Sequence, residues 1–152
     1  MTRVWIEAAI NGPWGKTRQP GIPVTASTII ADGVACARAG AAIIHLHAYD
    51  ERTGQQKDDW RLYAEVIEGI RAQCDAIVYP TIPIAGSSYA NGAMTTARDR
   101  YAHIEELAKR GLATVSPRPS TTAATPFPTI ALASVAGGKT MPSALRKRCM
   151  NA

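Results

Sequence analysis

Short continuous apolar runs alternate along the chain with longer stretches in which apolar residues recur every three or four positions. The first pattern suits buried strands and the second suits helices with one packed face. Val4 to Ile10 is the first apolar run, and Asn11-Gly12-Pro13 ends it with turn chemistry. The loop from Trp14 to Pro23 is rich in Gly, Pro and basic residues. Thr25 or Ser27 then caps a helix running to about Ala39, with Ile29, Ile30, Val34 and Ala37 on its packing side and Gly40 as its stop. A second strand follows at once from Ala41. Asp58 or Asp59 caps the next helix, in which Trp60, Tyr63, Ile67 and Ile70 recur at helical spacing.

A third strand spans Ala76 to Ile82. Pro80 cannot donate to a ladder, so the regular part is expected to end near Tyr79 and leave Thr81 at the rim. After a loop from Ala85 to Met94, Thr95 or Thr96 caps a helix through Arg110 with Tyr101, Ile104, Leu107 and Ala108 as its apolar stripe. Leu112 to Val115 begins a fourth strand. The order β-α-β-α-β-α-β predicts an α/β fold with a parallel sheet and right-handed crossovers, hence a doubly wound sheet or a (β/α) barrel.

The pattern stops after Val115. Residues 116–152 hold five of the ten prolines and no acidic residue, and only Ile130 to Val135 suggests a short helix or strand. The expected organisation is therefore an ordered part over 1–115 and an irregular basic tail over 116–152, read as an out-of-frame or otherwise aberrant extension.

Charge sharpens that division. The formal net charge is +5, but all 12 acidic residues lie at or before Glu106, where only 10 Lys and Arg are found, so that part carries −2. The excess of basic residues lies after Leu107 and lacks interleaved aromatics, which argues against a nucleic-acid surface. Three widely spaced cysteines (Cys36, Cys74, Cys149) support neither a disulfide framework nor a Cys-based zinc module. With no long apolar span and no export leader, the expected location is cytoplasmic.

The candidate chemistry sits at the end of the second strand, in Ile44-His45-Leu46-His47. Residues i and i+2 of a strand share a face, so His45 and His47 project together about 6–7 Å apart at the backbone. Imidazole is a common ligand for zinc, and a catalytic zinc site usually takes three protein ligands and one open position. Catalytic groups of α/β sheets collect at the carboxyl ends of strands, and a polar loop, Tyr49 to Gly54, follows here. Glu7 is the second candidate. A carboxylate inside a buried strand is either paired in the core or a site group. Trp60 and Tyr63 are read as core rather than cofactor contacts.

These motifs resemble those of the β-keto acid cleavage enzymes, the family that includes 3-keto-5-aminohexanoate cleavage enzyme. The resemblance is carried by Ala8-Ala9-Ile10-Asn11-Gly12, by Ile22-Pro23-Val24-Thr25 and by Ala39-Gly40-Ala41-Ala42-Ile43-Ile44-His45-Leu46-His47. Thr53-Gly54, the Tyr63 to Arg71 helix and Arg100-Tyr101-Ala102 also fit, and the resemblance covers about residues 3–115.

The resemblance implies a TIM-type (β/α)8 barrel nearly twice this length, of which the chain would supply about the first four βα units, and a homo-oligomer for the full-length family. It implies zinc held by His45, His47 and a later Glu, and a retro-Claisen type exchange in which a β-keto acid and acetyl-CoA give acetoacetate and a new acyl-CoA. Thr81 matches a position lining the substrate pocket, and Glu7 joins it as a substrate-binding candidate. Three departures stand out. Pro13-Trp14-Gly15 replaces a Glu that members often carry, which points to a different substrate subgroup. Ser116-Pro117-Arg118-Pro119 replaces the family's Asn/Asp and Gly-Ser segment. The third metal ligand and the later catalytic acid and arginine that the resemblance implies are expected to lie beyond the matched motifs.

Three functions follow. The first is a zinc-dependent β-keto acid cleavage enzyme, here truncated. The second is a catalytically dead fragment with residual metal binding, whose open sheet edges favour self-association. A His-x-His metallohydrolase ranks last, because a complete β-α unit precedes the histidine pair.

Overall fold

Four parallel strands form the main sheet of the chain, whose computed structural model describes residues 4–82, 96–113 and 129–134. The elements run β1 (Val4–Ala9), α1 (Gly15–Arg18), α2 (Ala26–Arg38), β2 (Ile43–Leu46), β3 (Tyr49–Asp50), β4 (Gln55–Gln56), α3 (Trp60–Arg71), β5 (Ile77–Pro80), α4 (Ala97–Lys109) and β6 (Thr129–Ser134). The sheet order is β5-β2-β1-β6, and β3 and β4 make a separate antiparallel pair. The expected α/β class with a parallel sheet is found.

Each long helix starts where a side chain satisfies an open backbone N–H. The Thr25 hydroxyl accepts from Thr28 N and the Thr96 hydroxyl from Asp99 N, both within reciprocal capping boxes, while the Asp59 carboxylate accepts from Arg61 N. Of each pair of residues expected to cap a helix, Thr25, Asp59 and Thr96 are the ones used.

All three long helices pack on one side of the sheet. Ala8, Ile44, Leu46 and Val78 face one core cluster with Ile29 and Val34 of α2, Tyr63, Val66, Ile67 and Ile70 of α3, and Leu107 of α4. Helices α2 and α3 approach closely where each presents a glycine: a Cβ on Gly33 would come within 2.5 Å of Ile70, and one on Gly69 within 2.5 Å of Ile30. Among the described residues of α4 the buried positions are His103 and Leu107, four residues apart on one face, while Tyr101 and Ala108 of the expected stripe are exposed.

Register explains the opposite side. Ala9 pairs with His45 and His45 with Tyr79, so these residues and Glu7, two positions before Ala9, share the face turned away from the helices. Strand β5 runs one residue further than expected, through Pro80. The N–H groups of Ile77 and Thr81 bond to Ala42 and Leu46 at 3.0 Å each, so the even positions turn their nitrogens to the other edge. The missing Pro80 donor therefore costs the ladder with β2 nothing.

Two stretches differ from expectation. Tyr49 to Gly54 is not a plain loop but the first strand and turn of the β3–β4 hairpin, closed by Gly54 at φ +66. Within the stretch 130–135, read as helix or strand, residues through Ser134 are strand, paired parallel to β1 from Val4↔Thr129 to Ala9↔Ser134. Of the expected fourth strand, Leu112 and Ala113 are not in a strand, and Thr114 and Val115 lie outside the described residues, as does the rest of the tail.

Candidate functional site

His45 and His47 stand side by side at the carboxyl end of β2. Their ring centres are 5.2 Å apart with the rings at 81°. Two imidazoles on one tetrahedral zinc ion, with Zn–N of about 2 Å, place their ring centres roughly 5 Å apart, so the spacing suits a shared ion. The expectation that alternation brings both rings to one place agrees with this placement.

Both rings are held in the neutral form a metal needs. Burial, then the neighbouring His47, pushes His45 down to about 4, with Glu7 acting in the opposite direction. Burial also lowers His47, against the upward pull of its hydrogen bond to Gln56 and the charge of Asp58. His45 Nδ1 is buried with no hydrogen-bond partner. An orphaned imidazole nitrogen beside a second neutral imidazole fits a divalent cation of the zinc type. Among the described residues no group of three His, Cys, Asp or Glu side chains is gathered.

Asn11 fixes where the pair sits. Its Oδ1 accepts from His47 N at 2.7 Å, and its Nδ2 donates to His47 O at 3.0 Å and to Pro23 O at 3.1 Å. The Asn-Gly pair in the sequence signals only a turn, yet the buried amide clamps the backbone of a candidate ligand 36 residues away.

Glu7 is buried and accepts a hydrogen bond from the Tyr79 hydroxyl, which reaches it across β2. Tyr79 also lies against His45, with ring centres 4.8 Å apart. Of the two roles open to Glu7, the pairing is therefore present, and it is made on the histidine face. Burial and then the Glu7 bond hold the Tyr79 phenol well above its ordinary range.

Thr81 is buried at the rim of β5. Its carbonyl accepts from His103 Nε2 at 2.9 Å, and the His103 ring stacks on Tyr63 with centres 5.1 Å apart. His103, the chain's third histidine, is thus a buried anchor for a candidate substrate residue. A lone His on a helix gives no sequence signal of that role. The loop from Trp14 onward includes the short helix α1, where Arg18 lies over the Trp14 ring at 4.9 Å.

Comparison with known proteins bears on this site. The family model for the beta-keto acid cleavage enzyme matches residues 3–140, further along the chain than the motifs above reach. A 3,5-dioxohexanoate:acetyl-CoA acetone transferase of Paraburkholderia graminis is 42% identical over 70 residues, covering 46% of this chain and 22% of the relative. A 3-dehydrocarnitine:acetyl-CoA trimethylamine transferase of Rhizobium meliloti is 30% identical over 118 residues, covering 68% and 39%. A 3-keto-5-aminohexanoate cleavage enzyme of Fusobacterium nucleatum is 35% identical over 83 residues, covering 53% and 30%. The chain spans at most 39% of the length of these relatives. The matched span contains β1, β2 and β5 with every candidate residue on them, and the chain belongs to the beta-keto acid cleavage enzyme family.

Proposed function

We propose that this chain is part of a zinc-dependent enzyme that exchanges a β-keto acid with acetyl-CoA, giving acetoacetate and a new acyl-CoA. The observation that carries the reading is the His45–His47 pair at the carboxyl end of a parallel strand, on the face turned away from the helices. Family membership supports the reaction class, and the relatives' names supply acetyl-CoA as the co-substrate. Strands β1, β2 and β5 follow one another in order with their helices on one side, as the first units of a (β/α)8 barrel would. In that arrangement the face bearing Glu7, His45 and Tyr79 is the barrel interior. A homo-oligomeric, cytoplasmic protein completes the proposal; among the described residues no helix is long and apolar enough to cross a membrane.

His45 and His47 would hold zinc, with a third ligand from outside the described residues. When bound, zinc supplies Lewis-acid stabilisation to the keto and carboxylate oxygens of the substrate. Thr81, held at the strand rim by His103, and Glu7, oriented by Tyr79, line the substrate side. The neutral state of both histidines leaves them able to bind the ion near neutral pH without first losing a proton.

A second reading is a chain that binds metal weakly and turns nothing over. It is favoured by the absence, among the described residues, of a third side chain gathered to the pair. Zinc content and acetyl-CoA-dependent consumption of a β-keto acid, measured on the purified chain and on His45→Ala and His47→Ala variants, separate the two. Turnover that needs both histidines supports the enzyme, and metal binding without turnover supports the second reading. Turnover unaffected by either substitution would sink the metal assignment.

A further inference from the structure

Gln56, Asp58 and Tyr63 form a connected chain of hydrogen bonds behind His47. The Gln56 side chain spans His47 and Asp58: Oε1 lies 3.0 Å from His47 Nδ1, and Nε2 lies 3.0 and 3.2 Å from the two Asp58 oxygens. The Tyr63 hydroxyl donates to Asp58 Oδ1 at 2.9 Å. Gln56 and His47 are both buried, with 8% of each exposed, so water does not offer easy substitutes for these partners.

The chemistry of each group leaves one consistent set of protons. An ionised carboxylate only accepts, so the Gln56 NH2 must face Asp58 and its carbonyl oxygen must face His47. A carbonyl oxygen only accepts, so His47 Nδ1 must carry the proton. In the neutral ring that makes Nε2 the nitrogen with the free lone pair. We propose that Asp58 and Gln56 act as a relay that locks His47 in the Nδ1–H tautomer and so presents Nε2 to a cation shared with His45. Gln56 is then a positioning residue. Its role toward the cation rests on His47 being a metal ligand as proposed above, whereas the tautomer itself does not.

The hairpin explains why Gln56 can do this. Strand β4 pairs Gln56 with Tyr49, and the Lys57 N–H bonds to Ala48 O at 2.9 Å, so the turn folds the chain back onto the residue following His47. Gln55, the neighbour on β4, is exposed and points the other way. Outer partners of this kind fix ring orientation and raise ligand basicity, and losing one typically costs about 10–100-fold in metal affinity.

The test is imidazole 15N NMR on the metal-free chain, with a zinc titration alongside. The wild type is expected to show His47 protonated at Nδ1. Gln56→Leu, close in size but with no acceptor, is expected to give a mixture of tautomers and zinc affinity reduced about 10–100-fold. Asp58→Asn provides a second variant: with an amide at 58 the Gln56 group is free to turn over, and the Nε2–H form is expected to gain population. A wild-type His47 protonated at Nε2 overturns the relay, as does a His47 tautomer unchanged in both variants. A wild type with the Nδ1–H form lost in Gln56→Leu, but with no zinc bound, supports the relay and overturns the zinc reading instead.

Discussion

The Tyr79 hydroxyl donates a hydrogen bond to the Glu7 carboxylate, joining β5 to β1 over the top of β2. The bond closes over the strand that carries His45, and the Tyr79 ring lies against the His45 imidazole. One side-chain pair therefore both satisfies a buried carboxylate and walls one side of the histidine pair.

Tyr79→Phe removes the donor and leaves a buried carboxylate with one partner fewer. A loss of about 1–3 kcal/mol in stability is expected, read by urea denaturation. Glu7→Gln retains an acceptor and is expected to lose less. Equal losses in the two variants would show that packing rather than the hydrogen bond matters.

Two buried tyrosines and the half-buried Tyr79 set the alkaline behaviour. Burial raises Tyr49, burial and Asp58 raise Tyr63, and burial and Glu7 raise Tyr79. The folded form keeps these protons when the unfolded chain would release them near pH ~10. Their contribution to stability is therefore fully present below about pH 10 and is lost as pH climbs through the folded values. A tyrosinate absorbance titration is expected to show these groups ionising together with unfolding. Ionisation of all tyrosines near pH ~10 in the folded chain would contradict this.

Acid acts through the histidine pair: burial lowers both, and His45 reaches about 4. The His45 value lies below the unfolded value of about 6.5, so the unfolded chain takes up the proton first. The contribution is fully present above pH ~6.5 and lost as pH falls toward 4, amounting to about 3 kcal/mol across that window. His45→Gln is expected to flatten the stability profile between these values, measured by denaturation at a series of pH values. A profile as steep as the wild type would place the acid-sensitive group elsewhere.

Asn11 makes three buried hydrogen bonds to backbone groups, so its replacement is expected to be costly. Asn11→Asp keeps the acceptor for His47 N but loses the donors to His47 O and Pro23 O and buries a charge beside two carbonyls. A loss of roughly 2–5 kcal/mol is expected. Asn11→Leu should cost a similar amount by leaving three backbone groups without their partner. Thermal melts of both variants check this, and a change below about 0.5 kcal/mol would contradict the clamp.

His103→Leu removes the donor to Thr81 O and the stacking on Tyr63, with an expected loss of about 1–3 kcal/mol. His103→Gln can still donate and should recover part of it. The Thr81 amide resonance is expected to shift strongly in the first variant and less in the second. No shift in either would separate His103 from the strand rim.

Much of the scaffold was legible because its signals are local. A capping residue bonds a backbone N–H two or three positions away, as Thr25, Asp59 and Thr96 do, and a strand's alternation places His45 and His47 together without reference to the rest of the chain. Of the expected α4 stripe Leu107 is buried while Tyr101 and Ala108 are exposed, because apolarity alone does not show that His103 takes the packing position beside Tyr63. The hairpin at Tyr49–Gln56 was missed because two-residue strands carry too few positions to display a period.

By itself the sequence determined the α/β class, the order of β1, α2, β2, α3, β5 and α4, the family motifs and the shared direction of the two imidazoles, since each depends on propensity and spacing over a few residues. Only the tertiary structure decided which groups hold that pair in place: the Asn11 amide from the turn after β1, the Gln56 and Asp58 chain from the hairpin, and Tyr79 and Glu7 from the strands on either side. Hydrogen bonds between residues far apart in sequence form only once the sheet register brings their backbones together. No periodicity in the chain encodes them.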